Sequence, residues 1–191
     1  MLADNKPLNA ISIYLNRIFN FSSILEKLAH TLKPGEQLNS GDSINHTVSV
    51  LLADDDIDDR ELFENIVREI HANITVNTVE DGKELMSRLT ESNGNLPDLL
   101  FLDLNMPGKS GKQCLQEIRA NAGLKHLPVI IYSTSSHTRD IKDTYSMGAN
   151  FYFIKDNSFS GALSNFRKVF AIDFENMKSP PDIGTYIPFY R

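Results

Sequence analysis

The sequence predicts an α/β protein built on a doubly wound, five-stranded parallel sheet, with an added helix at the N-terminus. Three observations predict it. Short apolar runs alternate with helical patterns five times between Val48 and Phe170, the pattern that lays helices on both faces of a parallel sheet. The runs are continuous rather than alternating in apolar residues, as in strands buried on both faces. Polar residues able to do chemistry stand at the ends of four of the runs, where ligands bind in such sheets.

Each element has its own signal. Ile11, Tyr14, Ile18, Phe21, Leu25, Leu28 and Leu32 recur in steps of three and four, the spacing of a helix that buries one stripe. Pro34-Gly35 ends it, and the polar stretch to His46 reads as a linker. Val48 to Ala53 is a strand that stops at Asp54, and Leu62, Ile66, Val67 and Ile70 mark one face of the following helix. Ile74 to Val79 reads as a strand and Lys83 to Leu89 as a helix. Leu99 to Leu102 is a strand ending at Asp103, and Lys112 to Arg119 a helix with Cys114, Leu115 and Ile118 inward. Val129 to Tyr132 is a strand followed by Ser133, and Thr138 to Met147 a helix. Phe151 to Ile154 is the last strand, followed by Lys155, and Ser158 to Phe170 the last helix. The expected organisation is a helical extension over residues 1–33, a linker over 34–46, one α/β domain over 47–172 and a tail over 173–191 carrying Tyr186, Phe189 and Tyr190.

Composition excludes several classes. The chain has 25 acidic and 19 basic residues, a formal net charge of -6, which disfavours sequence-independent binding to nucleic acid. Cys114 is the single cysteine, so a disulfide framework is excluded and a reducing compartment is expected. There is no signal-peptide pattern at the start, and no apolar stretch approaches the roughly 18 residues of a membrane span. The expectation is a cytoplasmic chain without membrane contact. The five histidines show no metal-ligand spacing. Gly108-Lys109-Ser110 resembles the end of a phosphate-binding loop, but the residue five before Gly108 is Asp103 rather than glycine, so that reading fails.

The strand ends converge three carboxylates, Asp54, Asp55 and Asp103, with Ser133 and Lys155. Carboxylates so close repel unless a cation compensates them. Such oxygens suit Mg²⁺, which binds through one or two carboxylates plus phosphate oxygens. A hydroxyl and an ammonium can hold the remaining phosphoryl oxygens, and an aspartate can itself be the nucleophile. The bland readings differ by residue. Asp56 and Asp58 read as capping and first-turn residues. Asp54 and Asp55 could merely favour a helix N-terminus, and Lys155 could be a solvated charge, but together with Asp103 the functional reading is preferred.

Leu51-Leu-Ala-Asp-Asp-Asp56, Leu102-Asp-Leu-Asn-Met-Pro107, Pro128-Val-Ile-Ile-Tyr-Ser133 and Gly148-Ala-Asn-Phe-Tyr-Phe-Ile-Lys155 resemble the four signature segments of response-regulator receivers, the CheY-like family. The resemblance covers roughly residues 47–172. It implies a flavodoxin-like sheet in the order 2-1-3-4-5. It implies Asp103 as phosphoacceptor, and Mg²⁺ held by Asp55, by Asp54 through water, by Asp103 and by the Asn105 carbonyl. It implies Ser133 and Lys155 on the phosphoryl oxygens, with Ser133 and Tyr152 as a hydroxyl–aromatic switch. The chain departs from the family pattern at Asp156, where proline is usual; a trans Lys155–Asp156 bond is expected. Serine at Ser133 replaces the commoner threonine and keeps the hydroxyl.

The function so implied is a phosphoacceptor of a two-component system or phosphorelay, phosphorylated by a sensor histidine kinase or a phosphotransfer protein and signalling by protein–protein contact. It is not an enzyme beyond slow loss of its own phosphoryl group. The N-terminal helix is a candidate for homodimerisation, for docking on a partner, or for packing on the domain itself. Two alternatives stand beside this. An aspartate-nucleophile phosphohydrolase of the haloacid dehalogenase type needs a second aspartate two positions after the nucleophile, where this chain has Asn105. An inert receiver-like scaffold would not need the intact acidic set.

Overall fold

The computed structural model describes residues 47–70, 74–92, 95–156 and 158–169, together with Tyr186. The expected N-terminal helix, the linker, and the tail apart from Tyr186 lie outside the described residues. The strands are β1 (Val48–Ala53), β2 (Ile74–Val79), β3 (Leu99–Leu102), β4 (Val129–Ser133) and β5 (Phe151–Ile154), and the helices are α1 (Ile57–Ile70), α2 (Gly82–Thr90), α3 (Gly111–Ala120), α4 (Thr138–Ser146) and α5 (Phe159–Val169). All pairings are parallel, and the sheet order is β2-β1-β3-β4-β5, as the sequence implies. Because every connection crosses over, a helix follows each strand and all strands end at the same edge.

The two faces of the sheet bury separate apolar clusters. Leu51, Ala53, Leu100, Leu102 and Ile131 point to one face, packed with α2, α3 and α4. Val50, Leu52, Phe101, Ile130 and Tyr132 point to the other, under α1 and α5. The second face is aromatic: Phe63, Phe101, Tyr132 and Phe166 pack largely edge to face with centroids 4.8–6.1 Å apart. Each such fully buried side chain stabilises the fold by about 1.5–3 kcal/mol. β3 and β4 are buried along their whole length, whereas edge strand β2 alternates between half-buried and exposed.

Two sequence expectations need correction. Ser133 is the last residue of β4 rather than the first residue after it, because its carbonyl accepts a bond from the Lys155 amide at 2.9 Å and extends the ladder. Continuous burial does not extend to β2, where the polar Thr75 and Asn77 are exposed. The face of α1 that carries Leu62, Ile66, Val67 and Ile70 packs against the aromatic cluster as expected, with Phe63 and Arg60 also buried on it. No helix among the described residues is long and apolar enough to cross a membrane.

Candidate functional site

The site sits where β1, β3, β4 and β5 end. Asp54 follows β1 directly and is 0% exposed. Its amide donates to the Val79 carbonyl at 3.1 Å, and its carbonyl accepts from Arg60 Nη1 at 2.7 Å. Arg60 also reaches Glu80, 3.2 Å away. A buried guanidinium from the first turn of α1 therefore fixes the backbone on which the acidic pair is mounted. Asp103 follows β3, is also buried, and ties its amide to the Ala53 carbonyl at 2.9 Å. The Asn105 amide donates to Asp103 Oδ2 at 3.2 Å, which orients the carboxylate. The approach of α3 is equally tight, since a Cβ at Gly111 would collide with the Asp103 carbonyl.

Asp54, Asp55 and Asp103 each offer a carboxylate oxygen, and these oxygens lie within 4.8 Å of one another. Asp54 and Asp103 are buried, while Asp55 is exposed at the mouth. Asp54 Oδ2 and Asp103 Oδ1 are buried without an aligned hydrogen-bond donor. The Lys155 ammonium compensates their charge from 2.8 Å and 3.9 Å respectively. Two buried anionic oxygens with lone pairs still available, beside a third exposed carboxylate, suit a hard divalent cation.

Lys155 is the cationic counterpart, with its side chain 6% exposed. Besides its ion pair with Asp54 it bonds Asp59 Oδ2 at 2.7 Å, and its ammonium stands 5.3 Å from the Tyr132 ring centroid, within the range of a cation–π contact. Burial disfavours the ammonium, but the bonds to Asp54 and Asp59 and the charge of Asp103 outweigh it and hold its pKa above the ordinary value. Burial pushes the Asp54 carboxyl up to about 6; Lys155 opposes that shift and Asp103 adds to it. Burial raises the Tyr132 phenol, and the carboxylates of Asp59, Asp54, Asp103 and Asp156 add to the shift.

The residues expected to signal lie next to this cluster. Ser133 is fully buried and its Oγ accepts from the Ser135 amide at 3.4 Å. Tyr152 is turned inward, its hydroxyl donating to the Ser135 carbonyl at 2.8 Å. Burial pushes its phenol up to about 12. Ser135 also donates to Asp140 on α4 at 2.5 Å, and Asp140 pairs with Lys112 of α3 at 2.8 Å. One loop thus joins the serine at the site to the tyrosine on β5 and to α4.

The structure brings Asp54, Asp55, Asp103 and Lys155 together and ties Asn105, Ser133 and Tyr152 to their border. Sequence reasoning missed Asp59, Arg60 and Tyr132. Asp59 stands in the first turn of α1, where an acidic residue reads as a partner of the helix dipole, so the sequence did not single it out. Nothing in the sequence separates Arg60 from a solvated helix arginine. Asp156, the departure from the family pattern, accepts from the Ser158 amide at 2.9 Å and from its hydroxyl at 2.8 Å. These bonds hold its carboxyl below the ordinary value and shape the start of α5.

Comparison with known proteins places this arrangement. The response regulator receiver domain family matches residues 50–164. Response regulator Rcp1 of Synechocystis sp. is 30% identical over 121 residues, covering 61% of this chain and 82% of that protein. Chemotaxis protein CheY-3 of Vibrio cholerae is 28% identical over 127 residues, covering 66% of this chain and 95% of that protein. Among solved structures, the phosphorylated cyanobacterial phytochrome response regulator RcpA superposes with a TM-score of 0.63 at 30% identity, over 70% of this chain and 98% of the other. The Mn(2+)-bound form of Rcp1 superposes with a TM-score of 0.62 at 26% identity, over 70% and 99%. With the sheet order, the acidic cluster and a match over more than half its length, the chain belongs to the response regulator receiver domain family of two-component signalling.

Proposed function

We propose that Asp103 accepts a phosphoryl group from the phosphohistidine of a sensor kinase or phosphotransfer protein, and that the chain passes the change on by protein–protein contact. The observation that carries this is the buried Asp103 Oδ1, which has no aligned donor, sits among two other carboxylates and faces the Lys155 ammonium. Oδ1 attacks phosphorus, the phosphorus–nitrogen bond breaks, and the departing imidazole nitrogen takes a proton. Asp54, Asp55, Asp103 and the Asn105 carbonyl would hold Mg²⁺; when bound, that ion offsets the charge gathered by the carboxylates and the phosphoryl oxygens. Lys155 and the Ser133 hydroxyl receive the remaining phosphoryl oxygens. For Lys155 this means giving up part of its bonding to Asp54 and Asp59.

Tyr152 and Ser133 then form the signalling pair. Both are anchored on Ser135, so a move of the Ser133 hydroxyl toward the phosphoryl group shifts the loop that the Tyr152 phenol grips. The dehalogenase-type hydrolase is not favoured, because Asn105 cannot serve as the general acid. The test is labelling with a small acyl phosphate and Mg²⁺, read as the gain of one phosphoryl group in the intact mass. Wild type should label and Asp103→Asn should not. Undiminished labelling of Asp103→Asn would move the acceptor elsewhere.

A further inference from the structure

Tyr186 lies far beyond α5 in sequence, yet it is 0% exposed and belongs to the core cluster on the α2–α3–α4 side of the sheet. Its hydroxyl donates to Thr144 Oγ1 at 2.8 Å, and Thr144 in turn donates to the Asp140 carbonyl at 2.7 Å, so both buried hydroxyls are satisfied. Its ring meets Tyr145 of α4 at 5.2 Å and Tyr152 of β5 at 6.2 Å, both edge to face. Burial holds the phenol well above its ordinary value, consistent with a side chain fully inside. These contacts outline a phenol-shaped slot between α4 and β5, with a polar end at Thr144 and aromatic walls. One wall is the residue read above as the signalling tyrosine.

We propose that this slot is a tyrosine-binding surface whose resident occupant is the chain's own Tyr186, which backs Tyr152 in its inward position and excludes other proteins from the same face. The connecting residues 170–185 are long enough to return to α4, since an extended chain spans up to about 3.3–3.6 Å per residue. Tethering makes the ring an intramolecular ligand, present at an effective concentration on the order of millimolar. A partner that uses the α4–β5 face must therefore displace Tyr186 or present a tyrosine of its own. That consequence for signalling rests on the function proposed above, whereas the slot itself does not.

Amide hydrogen exchange of the full chain tests the slot without any phosphodonor, so a failure of the phosphoacceptor reading would leave this measurement untouched. Tyr186→Ala is expected to raise exchange several-fold across residues 138–152 and to leave β1 and β3 unchanged. Tyr186→Phe, which keeps the ring and loses the bond to Thr144, should raise it less. Wild-type protection of residues 138–152 should be independent of chain concentration. Unchanged exchange in Tyr186→Ala overturns the proposal. So does protection that grows with chain concentration, because the phenol would then come from a second copy. Should Tyr186→Ala exchange throughout its length, Tyr186→Phe and Thr144→Val, which preserve the packing, are read in the same way. A peptide of residues 182–191 supplies a second arm. It should bind the Tyr186→Ala chain at least about tenfold more tightly than wild type, as expected when a tethered competitor is removed. Equal binding to the two chains overturns the competition.

Discussion

At the scale of single residues, Asp54 carries an unfavourable charge that the site needs. Burial raises its carboxyl from 3.8 to about 6, even with Lys155 alongside. The folded chain therefore binds a proton there more tightly than the unfolded chain does. The sign follows: without a divalent cation, stability falls as pH rises from about 4 to about 6, and the penalty is complete above that window. A shift of this size corresponds to roughly 1–3 kcal/mol. In chelator, Asp54→Asn should exceed wild type by about that amount at pH 7.5, and the difference should shrink toward zero only below the unfolded value of 3.8. Thermal melts of the two proteins across that range measure it, and a difference that does not vary with pH would contradict the assignment to Asp54. The sequence displayed Asp54 and Asp103 because each stops an apolar strand. It concealed Asp59 and Arg60, since charged residues in a first helical turn are usually solvated and only side-chain direction shows that these two face inward.

At the scale of elements, α3 is seated by its own N-terminus. Ser110 caps it, and Gln113 completes a reciprocal capping box, which shows why Gly108-Lys109-Ser110 only resembles a phosphate loop: Ser110 bonds the helix. Gly111 is where the helix touches the backbone that carries Asp103, and an added methyl would press on the Asp103 carbonyl and on the Leu104 Cα. Neither atom is the end of a flexible side chain. Gly111→Ala should therefore cost about 1–3 kcal/mol of stability, as overpacking does, and should slow labelling of Asp103 by displacing it. Melting and labelling rates on one preparation check both, and a normal melt with normal labelling would mean that the backbone gives way freely. The bounds of β1, β3 and β5 were legible because each is a compact apolar run, and those of β2 because its Ile, Thr and Val residues favour strands. The end of β4 was not, because Ser133 is polar by composition and a strand residue only through its bond with Lys155.

At the scale of the whole molecule, α1 and α5 share one face of the sheet and begin at the edge that holds the site. Their first residues, Ile57 and Phe159, are large, apolar and 59% and 49% exposed. Exposed apolar side chains beside a charged crevice suit the docking of a phosphohistidine-bearing helix. Replacing both with serine should slow transfer from such a protein by an order of magnitude or more, as loss of apolar anchors does, while labelling by a small acyl phosphate continues. Equal slowing with both donors would place the effect in the chemistry instead of the docking. The architecture itself was legible, since five strand–helix alternations and the crossover rule leave few arrangements; the placement of Tyr186 was not, since no periodicity links one tail residue to α4. The all-parallel order has a last consequence, for biosynthesis. Asp54, Asp103, Ser133 and Lys155 come from four strands that meet only through long crossovers, and such non-local pairings form slowly. A nascent chain that has released β1 to β4 but not β5 has its carboxylates and no lysine. The acidic cluster thus gains its buried cation only when the last strand joins the sheet.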